Sequence, residues 1–364
     1  MRAQVQHHPS GLSPCRQRIE WQRETGNDTT PSTSGRVPPP GAAGQARPRR
    51  TVTEDASGFQ VRVPVPDLGV AARGNTGIQG VWRFDSGVAG PQAVIVSLIH
   101  GNEFTGAAVL ARLLCAGPRP VRGSLTLVFA NLDAFARFDP ADPTLSRYVD
   151  EDLNRVWSPQ HLDGRRDSLE LRRARALRPV VEAADVLLDL HSMLWPSDPL
   201  ILAKATPVAL DLARAIGIPG TIVADSGHPE GPRLIDHAPF IAPGTRRAAL
   251  LVEAGTHWEP GTEVVAEACV SGFLRVLGMA PVPAAPCGDA SVWRVTRAVT
   301  AVSRHFAFTG SFRGGAVIPR AGTLIARDGA AEIRTPHDDC MLVMPSPRVM
   351  RGHVAVRLAA RAES

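Results

Sequence analysis

Three places in the sequence put metal-ligating or proton-handling side chains at the ends of apolar runs. In Ile99-His100-Gly101-Asn102-Glu103, a histidine and a glutamate stand three residues apart at a predicted strand-to-helix turn, where both can reach one ion. Zinc favours this mixture of imidazole nitrogen and carboxylate oxygen, and a catalytic zinc takes three protein ligands and keeps a fourth position for water. Taken alone, the pair also reads as a turn histidine beside a glutamate that meets a helix dipole. His191 closes Leu187-Leu188-Asp189-Leu190-His191. It is either a satisfied polar group or a second ligand at the C-terminal end of a strand, where open α/β sheets gather their sites. Glu253 ends a third run, Ala249 to Gly255. A carboxylate closing so apolar a strand is costly unless paired, hydrogen-bonded or used, and beside a metal-activated water it is a natural general base.

Between these lies Ser146-Arg147-Tyr148-Val149-Asp150-Glu151-Asp152-Leu153-Asn154-Arg155, dense in side chains able to grip an anion. Arginine offers a planar fork that matches a carboxylate, and asparagine adds a donor. An exposed charged loop is the other reading of the same residues.

The elements that must hold these groups follow from the hydrophobic pattern. Buried strands are predicted at Ala93–Ile99, Ser124–Ala130, Val186–Leu190, Leu200–Ala203, Thr221–Ala224 and Ala248–Glu253, and helices at Thr105–Leu114, Ser168–Ala183, Pro207–Ile216 and Glu263–Leu277. Apolar runs alternating with amphipathic stretches imply an α/β fold, a mixed sheet flanked by helices. Residues 1–50 mix Pro, Ser, Thr, Gly, Gln and Arg without apolar periodicity and are expected to be a disordered tail. The catalytic α/β domain is expected over 51–285. After Pro281-Val282-Pro283-Ala284-Ala285-Pro286, short alternating segments such as Val292–Val302, Thr323–Ala326 and Cys340–Met344 predict a small C-terminal all-β domain over 286–364.

Composition limits the function classes. With 44% hydrophobic and 21% charged residues among 364, the chain is globular. Its apolar runs fall far short of the roughly 18 residues of a transmembrane helix, so no membrane role is expected. The net charge of +5 resides in residues 1–50, where eight arginines face Glu20, Glu24 and Asp28, and no nucleic-acid partner is expected. Five cysteines far apart, without a C-x-x-C pair, and no secretory signal pattern point to a reducing cytoplasm. Ser226 lacks a nucleophile elbow, and the run from His337 to Cys340 cannot converge on one ion from a strand. His228, His237 and His257 read as loop or surface histidines, with one able to line the pocket, while Asp189, on the face of His191, is a candidate either to orient it or to hydrogen-bond neighbouring backbone.

Together the segments resemble the succinylglutamate desuccinylase and aspartoacylase family, relatives of the zinc carboxypeptidases. The resemblance rests on His100-Gly101-Asn102-Glu103, Asp152-Leu153-Asn154-Arg155, Asp189-Leu190-His191 and Val252-Glu253-Ala254-Gly255, in that order over residues 90–280. The run Gly322–Ala326 and Thr335–Cys340 also look like the family's small β domain. The resemblance implies one Zn2+ per chain held by His100, Glu103 and His191, with Glu253 taking a proton from the activated water. It implies that Arg147 helps stabilise the tetrahedral oxyanion and that Asn154 and Arg155 hold a substrate carboxylate. The implied reaction is hydrolysis of the amide of a small N-acylated amino acid or similar carboxylate-bearing compound. A metallocarboxypeptidase acting on peptides and a non-catalytic small-acid binder are the alternatives, and homo-oligomerisation is left open. Family members commonly place a tyrosine late in the chain against the substrate, yet the single tyrosine here is Tyr148. Arg233, Arg246 and Arg247 precede Glu253 without an assignable role.

Overall fold

The computed structural model describes residues 58–280 and 290–362. The tail expected over 1–50 and the Pro/Ala-rich linker at 281–286 lie outside the described residues.

Fourteen strands form two sheets among the described residues. They are β1 (Val81–Asp85), β2 (Gln92–Ser97), β3 (Ser124–Phe129), β4 (Val186–Met193), β5 (Leu200–Ala203), β6 (Thr221–Ala224) and β7 (Ala248–Thr256) in the first part. Beyond the linker come β8 (Ser291–Thr300), β9 (Phe306–Phe308), β10 (Val317–Ile318), β11 (Leu324–Asp328), β12 (Ala331–Arg334), β13 (Cys340–Val343) and β14 (Val354–Arg361). The larger sheet has 11 strands in the order β1-β3-β2-β4-β7-β5-β6-β8-β14-β13-β10, and β12-β11-β9 form the other. Its centre, β3-β2-β4-β7, is parallel, while β1 and β5 run antiparallel to their neighbours β3 and β7. The C-terminal part is all β, as expected, and β8 pairs in parallel with β6, so both parts share one sheet.

The expected helices are α1 (Thr105–Cys115), α2 (Leu169–Ala183), α3 (Pro207–Ile216) and α4 (Pro260–Val276). Strand period two divides the core between them. Ile95, Leu188, Leu190, Leu250 and Val252 pack with residues of α1, α3 and α4. Val94, Val96, Leu187, Ala249 and Leu251 pack with Leu171, Ala174, Leu177 and Val181 of α2. Buried on both faces, the central strands read as continuous apolar runs, which is why they were visible in the sequence. Among the described residues no helix is long and apolar enough to cross a membrane.

The chain passes from β2 through α1 to β3 on one side, then crosses to β4 on the other. The crevice outside the carboxyl ends of β2 and β4 is therefore a topological switch point, where such sheets bind ligands.

Candidate metal centre and reaction cavity

His100, Glu103 and His191 meet at that crevice. Leu98, with φ of 58°, turns the chain sharply out of β2. At Gly101 a Cβ would lie 2.4 Å from Ala134 C and Phe135 N, so only glycine lets the segment carrying His100 and Glu103 pack there. His191 and Glu253 are register partners on β4 and β7, with side chains on the same sheet face.

The three candidate ligands are buried, His100 at 3% exposure, and their donor atoms lie within 4.8 Å of one another. Glu103 Oε1 is 2.7 Å from His100 Nδ1, and its Oε2 is 2.8 Å from His191 Nδ1. The opposite ring nitrogens face carboxylates: His100 Nε2 is 3.0 Å from Asp152 Oδ1, and His191 Nε2 is 2.9 Å from Asp189 Oδ2. Burial opposes charge on Glu103, yet His100 and His191 hold its carboxyl well below the usual range. Burial likewise opposes charge on His191, but Asp189 and Glu103 raise its pKa well above that of a free imidazole.

This arrangement fits a zinc ion. The Nδ1 atoms of both imidazoles face the two oxygens of Glu103, while His100 Nε2 faces Asp152 Oδ1 at 3.0 Å and an Arg147 terminal nitrogen at 2.8 Å. Such a cluster needs positive charge in its middle, either extra protons or a metal. Carboxylates behind metal-binding histidines are also the usual means of fixing tautomer and ring orientation.

Glu253 faces the same space from β7. Neither of its oxygens accepts a hydrogen bond from the described residues, and Oε2 is fully enclosed. Burial, helped by the charge of Glu103, pushes its pKa up to about 8. Arg147 enters from the 146–155 loop, with one terminal nitrogen 3.2 Å from Glu103 Oε1 and the other 3.0 Å from Asp152 Oδ2.

That loop is shaped by a buried acid. Glu170, in the first turn of α2, accepts the backbone N–H groups of Val149, Asp150 and Glu151 at 2.7, 3.0 and 3.2 Å, and the Asn131 amide at 3.1 Å. Ser168 caps the same helix by accepting the N–H of Leu171. Asp152 accepts the N–H of Asn154, and the Asn154 side-chain oxygen accepts that of Leu234, which anchors the Asn154-Arg155 pair.

Residues 89–257 match the family model of the succinylglutamate desuccinylase/aspartoacylase catalytic domain. The matched stretch contains β2 to β7 and all seven candidate site residues. Over these residues the chain is similar to that family's catalytic domain. A succinylglutamate desuccinylase from Vibrio parahaemolyticus is 16% identical to this chain, with a TM-score of 0.61 over 78% of this chain and 87% of that one. A succinylglutamate desuccinylase/aspartoacylase from Rhodobacter sphaeroides is 18% identical, with a TM-score of 0.56 over 76% and 87%. The ectoine utilization protein EutE (DoeB) from Ruegeria pomeroyi is 17% identical, with a TM-score of 0.57 over 77% and 88%. At these identities the likeness is one of fold. No curated protein sequence matches the chain.

In this desuccinylase/aspartoacylase-type domain a cavity of about 480 Å³ opens over the triad. Arg147, Asn154, Arg155 and Glu253 all line it. So do residues given no role from the sequence: Arg233 is held by Asp225 and Asp236, and Arg357 reaches the wall from β14. His228 and His257, read as loop or surface histidines, are lining residues, whereas His237 is buried against Trp157 O and Glu182. His257 Nδ1 lies 2.7 Å from the Ser192 hydroxyl, and burial lowers its pKa to about 4. Tyr148 lines the cavity at 42% exposure, on the loop side. A charged residue inside the apolar run Val354-Ala355-Val356-Arg357-Leu358-Ala359 was the available signal for Arg357.

Proposed function

We propose that this protein is a zinc-dependent amidohydrolase that cleaves the amide bond of a small N-acylated amino acid or similar carboxylate-bearing compound. The reading rests on one observation: an unpartnered, buried Glu253 shares a cavity with the His100-Glu103-His191 donor set. Zinc in that donor set would supply Lewis acidity, making water acidic enough to ionise near neutral pH and polarising the scissile carbonyl. Glu253 takes a proton from the attacking water and returns it to the leaving nitrogen, the exchange expected of an unpartnered carboxylate beside this donor set. The Arg147 guanidinium, braced by Asp152, offers N–H donors to the carbonyl oxygen as negative charge develops there. Asn154 and Arg155 hold the substrate carboxylate, the first anchored on Leu234 N and the second on its own neighbour's carbonyl. Asp152 and Asp189 orient the two imidazole rings from behind.

A cavity of about 480 Å³ over the donor set has room for a small substrate. The thiols of Cys269 and Cys340 are in keeping with a reducing cytoplasm. The test is metal content together with turnover of a panel of N-acetyl, N-succinyl and N-formyl amino acids. About one zinc per chain with hydrolysis of at least one of these supports the proposal. Failure to take up zinc on reconstitution, or turnover of peptides alone, rejects it.

A further inference from the structure

Arg357 is a buried cation without adequate partners. It lies in β14 among fully buried residues and is itself 6% exposed. Its guanidinium makes no hydrogen bond to the described residues, and its enclosed Nε has no partner. The nearest carboxylate oxygen, Asp225 Oδ2, stands 3.5 Å from Nε. That oxygen already accepts from Arg233 at 3.0 Å, and Asp225 Oδ1 accepts the N–H of Gly227. Arg233, by contrast, is fully engaged by Asp236 and Asp225.

Arg155 repeats the pattern on the same wall. One terminal nitrogen is spent on its neighbour's carbonyl, 3.9 Å from Asp152 Oδ2, and the other lies 3.2 Å from His228, while its buried Nε has no hydrogen-bond partner and stands 3.7 Å from Glu230 Oε2. Leaving buried N–H donors of a charged group unsatisfied is expensive, and clustering like charges adds to the cost. Both guanidiniums border the cavity, from which an acceptor can arrive. A carboxylate matches this demand, since its two oxygens accept from a guanidinium fork.

We propose that Arg357, beside Arg155, forms an anion subsite contributed by the C-terminal strand, which binds a second carboxylate of the substrate away from the scissile amide. Arg357 is then a specificity-determining residue. The assignment rests on the amidohydrolase reading for its substrate, but the subsite itself can be tested by binding.

The experiment compares zinc-loaded wild type with Arg357→Gln, Arg357→Met and Arg357→Lys. Calorimetric titration with succinate and glutarate, and with butyrate as the monocarboxylate control, reads binding directly. Expected are a loss of about tenfold or more in dicarboxylate affinity for Gln and Met, partial recovery with Lys, and no change for butyrate. Without ligand, the melting temperature of the Met variant should equal or exceed that of wild type, because an unsatisfied cation has been removed. For whichever N-acyl amino acids are turned over, KM should rise for those with acidic side chains and hold for neutral ones, with kcat little changed. Unaltered dicarboxylate binding in the Gln and Met variants overturns the proposal. So does a lowered melting temperature in both without ligand, which makes Arg357 a structural partner of Asp225. Arg357-dependent binding in a protein that hydrolyses no N-acyl amino acid keeps the subsite and rejects the amidohydrolase reading.

Discussion

The Glu170 carboxylate accepts the backbone N–H of Val149 at 2.7 Å, so a helix that touches no proposed ligand sets the path of the loop carrying Arg147 and Asp152. Glu170→Gln keeps the shape but replaces one acceptor oxygen with an amide that points donors at donors. A loss of roughly 1.5–3 kcal/mol is expected for such charge-assisted bonds. Thermal unfolding should register it, and turnover should fall with it because Arg147 loses its brace. An unchanged melting temperature would remove Glu170 from this role.

Glu253→Gln should separate ligation from chemistry. The amide has no proton-accepting oxygen of comparable basicity, so turnover is expected to fall about 10²–10⁴-fold while zinc content stays at the wild-type level. Metal analysis and steady-state rates on the same preparation check this; loss of metal would show that Glu253 acts as a ligand.

Asp189→Asn tests the carboxylate behind His191. The amide can still hydrogen-bond Nε2, but it no longer raises the basicity of the ring, and zinc affinity should weaken about 10–100-fold. Competition with a chromophoric chelator measures it, and an unaltered affinity would reduce Asp189 to a packing role.

Acid should destabilise the fold through His228. Burial, reinforced by Arg155 and Arg357, lowers its pKa to about 2. Its ring nitrogens already face two donors, the Glu230 N–H and the Arg155 guanidinium, both at 3.2 Å. The folded pKa lies below the unfolded value of about 6.5, so the unfolded chain binds the extra proton. The stabilising contribution is whole above pH 6.5 and is lost progressively as pH falls toward 2. Urea unfolding at pH 7.5, 6 and 5 should show stability declining, and His228→Gln should flatten that decline by up to about 1.4 kcal/mol per pH unit. Parallel pH profiles for the two proteins would contradict the assignment.

The sequence carried the centre of the fold further than its edges. β2, β4 and β7 are buried on both faces, so their residues form apolar runs whose ends mark His100, His191 and Glu253. β1 is an edge strand of mixed texture, Val81-Trp82-Arg83-Phe84-Asp85, and acquires its meaning only by pairing with β3. The two-residue β10 has no local pattern to read. His228 and Arg357 escaped for a related reason: nothing near either residue says that a loop after β6 and a strand far along the chain form one wall. Asp152 stood inside a motif, but its contact with His100 spans a turn that Glu170 shapes, and that link is non-local.

The shared sheet also orders events in time. A ribosome makes His100, Glu103, His191 and Glu253 well before it makes Arg357, and β14 must slot between β8 and β13 to bring that arginine to the wall. A nascent chain that has folded β2 to β7 therefore possesses its metal donors while the far side of the cavity is still open to water. In chain order the candidate donor set and Glu253 are complete about a hundred residues before the arginine proposed for the anion subsite.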